Sequence, residues 1–104
     1  MEPADIGAKG ERLIVAAFRA KGCNVEWNTA GPGATDIKVD GRERGERLLI
    51  QVKTAIAPNE PAEPTAEERA AIRARAKTLG YTALVAYVVL PPTEGTPSIR
   101  YENA

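Results

Sequence analysis

Residues 47–54 read Arg-Leu-Leu-Ile-Gln-Val-Lys-Thr, and the order of apolar and polar side chains within them decides the fold. Strand alternation puts Leu48, Ile50 and Val52 on one face and Leu49, Gln51 and Lys53 on the other. An amide and an ammonium two residues apart in an otherwise apolar strand need partners, because burying either one alone is costly. The neighbouring elements must supply those partners.

Working outward, residues 35–39 form a preceding strand on which Asp36 and Lys38 share a face opposite Ile37 and Val39. The polar connection over residues 40–46 opens with Asp-Gly and suits a hairpin, which brings Asp36 within reach of Gln51 and Lys53. Residues 24–28 form a short strand around Val25 and Trp27, followed by a Gly31-Pro32-Gly33 turn. The spacing before it predicts a helix over residues 5–21, capped by Asp5 and stopped by Gly22. Ile14, Val15 and Phe18 lie on one side of that helix, with Lys9, Arg12 and Arg19 opposite. Glu11 falls on the apolar side, where a carboxylate is rare unless it finds a partner.

Downstream, residues 55–64 carry three prolines and no periodicity, as a loop does. Thr65 and Glu68 then form a capping box that opens a second helix, which runs to Leu79 and stops at Gly80. Residues 83–90 form a continuous valine-rich run, read as a buried strand and ended by Pro91-Pro92. Residues 98–101 add a short edge strand. The expected architecture is a single α/β domain over residues 1–104. Its early strands form a meander, and its second helix crosses over to the last buried strand of a mixed sheet.

Composition narrows the chemistry. The 104 residues are 43% hydrophobic and 27% charged, as in an ordinary globular protein. Histidine is absent, which excludes Ser-His-Asp and Cys-His catalysis, histidine bases and ordinary zinc sites. Any chemistry must rest on carboxylates, lysine and an oxygen-seeking metal such as magnesium or manganese. Fourteen basic residues balance 14 acidic ones, which argues against a general polyanion binder. The single cysteine, Cys23, has no internal disulfide partner. No window approaches the ~18 apolar residues of a membrane span. A cytoplasmic, non-membrane protein is the expectation.

Gly7-x-x-Gly10-Glu11, Thr35-Asp36-Ile37 and Gln51-Val52-Lys53-Thr54, in that order, resemble the PD-(D/E)xK phosphodiesterase superfamily. Within it the chain is most similar to archaeal-type Holliday junction resolvases and to homing endonucleases with a Gln-Val-Lys motif. The resemblance covers about residues 5–90. It implies a restriction-endonuclease-like αβββαβ core, a central mixed sheet flanked by helices, and metal-dependent hydrolysis of DNA. It also implies that Glu11, Asp36, Gln51 and the Val52 carbonyl hold Mg²⁺ or Mn²⁺, with Lys53 orienting the attacking water. Two departures stand out. Thr35 replaces a common proline, and Gln51 replaces the usual acidic ligand, which removes one negative charge.

The implied reading is a structure-selective endonuclease acting on branched DNA as a homodimer. A homing or restriction-type enzyme cutting duplex DNA is the second reading, and an inactive nuclease fold that binds nucleic acid is the third. Arg69, Arg73 and Lys77 form an i, i+4, i+8 stripe, either tracking phosphates or forming a solvated face paired with glutamates. Trp27 is expected to pack in a core or interface, with base stacking as its alternative role.

Overall fold

A computed structural model describes residues 3–28, 36–41 and 46–104, with the backbone alone at Pro3, Ala4, Asn28 and Asp36. The elements are α1 (Pro3–Ala20), β1 (Asn24–Asn28), β2 (Asp36–Asp40), β3 (Arg47–Ile56), α2 (Ala66–Leu79), β4 (Thr82–Leu90) and β5 (Ser98–Asn103). The five strands form one sheet in chain order, β1 to β5. β1, β2 and β3 pair antiparallel as the expected meander. β3 and β4 run parallel, with α2 as the crossover between them, and β5 returns antiparallel to β4. This is the expected α/β architecture with a mixed sheet between helices. The Gly31-Pro32-Gly33 turn and Thr35 lie outside the described residues.

The helices divide the two faces unequally. On one face Ile14, Val15 and Phe18 of α1 pack on Ile37, Val39, Ile50, Ala86, Val88 and Leu90. On the other face a smaller cluster joins Ile72 and Ala76 of α2 to Leu49. α1 and α2 therefore lie on opposite sides of β3, as the alternation of Leu49 and Ile50 requires. The thinner apolar cover leaves room for polar side chains on the α2 side.

Several element ends differ from expectation for local reasons. α1 begins at Pro3, so Asp5 sits in its first turn and complements the helix dipole without capping it. Gly22, at φ 84°, reverses the chain at the far end, where the Cys23 N–H bonds the Phe18 carbonyl at 3.1 Å. β3 continues past Thr54 to Ile56 because β4 is long enough to pair it, Ile56 lying opposite Leu90. The proline segment that follows is tucked down, with Pro61 and Pro64 buried. α2 has the full capping box at Thr65 and Glu68 and ends at the left-handed Gly80. Among the described residues no helix is long and apolar enough to cross a membrane.

The two glycines of α1 have different standing. A Cβ at Gly10 would collide with the Thr54 hydroxyl and come within 2.9 Å of its Cβ, whereas one at Gly7 would meet nothing within 4 Å. Gly10 thus sets the approach of α1 to β3. Gly10→Ala is expected to destabilise the protein by about 1–3 kcal/mol through overpacking. Gly7→Ala is expected to stabilise it by roughly 0.5–1 kcal/mol by relieving a helical glycine. Urea unfolding measures both, and Thr54→Ala should recover part of the Gly10→Ala loss in the double variant. Equal stability of the two alanine variants would refute the close approach.

Candidate functional site

The α2 capping box does more than end a helix. Glu68 Oε1 accepts the Thr65 backbone N–H at 2.9 Å, while the Glu68 N–H donates to Thr65 Oγ1 at 3.1 Å. With one oxygen held by the cap, Oε2 faces the sheet. There it accepts from Gln51 Nε2 at 2.8 Å and from Lys53 Nζ at 2.9 Å. Gln51 and Lys53 of β3 thus share one carboxylate oxygen, supplied from seventeen and fifteen residues downstream. The Lys53 and Glu68 side chains are only 24% and 30% exposed, so the pair is partly shielded from water.

An ionised carboxylate can only accept hydrogen bonds, so the Gln51 amide must turn its NH₂ toward Glu68. Its oxygen then points elsewhere. Gln51 Oε1 is buried and has no hydrogen-bond partner among the described residues. An acceptor left in that state costs about 1–3 kcal/mol, so the position calls for a donor or a cation. Across the ladder Asp36 stands directly opposite Gln51, which puts the two residues on the same sheet face. The Asp36 side chain, and hence the carboxylate expected beside Gln51, lies outside the described residues.

Hydrogen bonding sets the charge of the cluster. The Thr65 backbone N–H, and then Lys53, hold the Glu68 carboxyl down at about 2, against an ordinary 4.5. A second polar group adjoins the first, because Tyr87 of β4 is opposite Lys53. The Tyr87 hydroxyl donates to Glu102 Oε1 at 2.5 Å, and Arg69 donates to the same oxygen at 2.8 Å and to the hydroxyl at 3.2 Å. The Arg100 guanidinium lies 4.1 Å from the Tyr87 ring centre. Burial and the bond to Glu102 raise the Tyr87 hydroxyl above its ordinary value. Arg69 is thus committed to a glutamate of β5, which removes it from a free phosphate-tracking stripe.

Glu11 is placed elsewhere. Its Oε2 accepts the Trp27 indole N–H at 2.7 Å, and Trp27 packs against the α1-side core. Burial raises the Glu11 carboxyl, an effect partly offset by the indole bond. The structure therefore joins Gln51 and Lys53 to Glu68, and Glu11 to Trp27. The Val52 side chain packs against the α1-side core, so only its main chain could serve in the expected role. Among the described residues no three or more aspartate, glutamate, cysteine or histidine side chains gather to hold a metal. Glu68 was legible in the sequence only as half of a capping box. Its second oxygen had no signal, because nothing local shows which strand a helix N-terminus will cover.

No protein-family model matches the chain, and no curated protein matches it. Among solved structures it is similar to Archaeoglobus fulgidus Hjc, a Holliday junction resolvase from an archaeal hyperthermophile. The TM-score is 0.66 at 23% identity, over 93% of this chain and 76% of that one. The likeness shows a shared fold, with a mixed sheet flanked by helices.

The lowered Glu68 carboxyl contributes stability that is present above about pH 4.5 and is lost as the pH falls through about 2. Glu68→Gln retains an acceptor for the Thr65 N–H but cannot ionise. The stability gap between wild type and Glu68→Gln is expected to be full at pH 7 and to narrow between pH 4.5 and 2. Urea unfolding at those pH values measures it, and a gap independent of pH would show that the ion pair contributes nothing.

Proposed function

We propose that the chain is a metal-dependent DNA endonuclease that hydrolyses phosphodiester bonds, with branched DNA as its preferred substrate. The supporting observation is the buried Gln51 oxygen, without a partner among the described residues, on the strand of Lys53 and across the ladder from Asp36. The fold shared with a Holliday junction resolvase supports branched DNA as the class of substrate. A hard divalent cation such as Mg²⁺ or Mn²⁺ suits an amide oxygen and a carboxylate together. Asp36, Gln51 Oε1 and the Val52 carbonyl are the residues that would hold it. When bound, such an ion lowers the pKa of its water and offsets charge on the phosphoryl oxygens.

The protein's own groups account for the rest. In the proposed reaction a water attacks phosphorus in line, the bond to the leaving oxygen breaks, and negative charge grows on the non-bridging oxygens. Lys53 carries the ammonium that orients the water and offsets that charge. Glu68 acts as its positioning residue, fixing Nζ on the sheet face through a 2.9 Å ion pair. Glu11 enters this reading only through its bond to Trp27. A two-fold homodimer would present two such sites to two strands.

A second reading, binding of nucleic acid without cleavage, is favoured by two observations. Lys53 is already paired with Glu68, and Gln51 stands where the resemblance implies an acid. A nicking assay in Mn²⁺ separates the readings, using a four-way junction and a linear duplex of matched sequence at equal salt. Junction cleavage is expected to exceed duplex cleavage, and Asp36→Ala and Lys53→Ala should each slow it by about 10²–10³-fold. Cleavage of both substrates alike would favour a duplex-cutting enzyme, and junction binding without nicking would favour the binding module. Wild-type rates in both variants would overturn the catalytic assignment.

A further inference from the structure

On the side of the sheet away from Lys53, α1 and β1 enclose an open groove of about 550 Å³. Its lining is Arg12, Val15, Ala16, Arg19, Ala20 and Trp27. Arg12 and Arg19 are exposed, and neither guanidinium is ion-paired or hydrogen-bonded to a described residue. They stand seven positions apart on α1, a separation of about 10 Å along the helix axis. Trp27 is held from two directions, by the apolar core and by its indole N–H bond to Glu11. That bond also engages the Glu11 carboxylate. The result is a fixed aromatic ring flanked by two guanidiniums that have no counter-ion among the described residues.

We propose that this groove is a second nucleic-acid contact, in which a base of an unpaired DNA strand stacks on Trp27 while Arg12 and Arg19 hold two phosphates of the same strand. The choice of DNA as ligand rests on the endonuclease reading, whereas the groove itself is independent of the Lys53 face. Charge complementarity selects a polyanion, since two arginines about 10 Å apart suit successive anionic groups and not one compact anion. The ring selects an unpaired strand, because a base inside a duplex offers no free face to an aromatic side chain. Glu11 acts here as a positioning residue, and its hydrogen bond limits the indole to one orientation.

The chain has a single tryptophan, so its fluorescence reports this groove alone. Full-length protein is titrated with a twelve-nucleotide oligothymidylate in the absence of divalent metal, and separately with an abasic strand of equal length. Oligothymidylate is expected to quench Trp27, and the abasic strand to bind more weakly without quenching. The double variant Arg12→Ala/Arg19→Ala should lose affinity and lower the slope of log affinity against log salt by about 1.4, the value for two phosphate contacts on a single strand. Trp27→Leu, followed by anisotropy of a labelled strand, should weaken binding about tenfold. Thermal melting establishes that each variant is folded.

Unchanged fluorescence with oligothymidylate, or wild-type affinity and salt slope in the folded arginine double variant, would overturn the proposal. Asp36→Ala keeps the groove and is expected to quench like wild type. Quenching by a protein that never cleaves would therefore count against the endonuclease reading alone, and cleavage without quenching against the groove alone.

Discussion

One carboxylate ties the two halves of the fold together. Glu68 holds the first turn of α2 through one oxygen and the polar pair of β3 through the other. Without it Gln51 and Lys53 would be two hydrophilic groups beneath a helix with no partner, each costly to bury. With it α2 is fixed over the sheet end that carries them, and the Gln51 amide has only one sensible orientation. The Gln51 oxygen left without a partner among the described residues, on the rung of Asp36, follows from that orientation. Removing charge from one end of the pair therefore disturbs both the helix start and the shape of the polar face.

The unequal apolar cover of the sheet explains where chemistry can reside. α1 fills its face with isoleucine, valine and phenylalanine, leaving polar groups at its margin, where Glu11 meets Trp27. α2 is short in apolar contacts and instead covers two linked polar groups, Gln51–Lys53–Glu68 and Arg69–Tyr87–Glu102. The second group adjoins the first, because Tyr87 lies opposite Lys53 in the parallel ladder. A polar layer of this kind specifies how helix and sheet align, which apolar contacts alone do less well.

Much of this was legible in the residues. Period-two alternation in residues 47–54 and the Thr65–Glu68 box have local causes, and both stand in the structure. The hairpin register that sets Asp36 opposite Gln51 follows from short-range connection as well. The partners of Glu11 and Glu68 depend instead on packing between elements far apart in sequence. Helical periodicity places Glu11 on the inner side of α1 but does not say that an indole N–H waits there. The extension of β3 to Ile56 was hidden for the same reason, since only the length of β4 shows that the strand continues.

The parallel seam has a kinetic consequence. Leu48 meets Thr82 and Ile56 meets Leu90, so every rung between β3 and β4 closes the same long stretch of chain. Non-local pairing of this sort raises the entropic barrier to folding. α2 occupies the middle of that stretch and is capped at both ends by purely local bonds. Coiled at about 1.5 Å per residue, it shortens the distance the remaining loop must span. A preformed α2 therefore lowers the entropic cost of closing the sheet's centre, which gives its caps at Thr65 and Gly80 a part in a seam that neither joins.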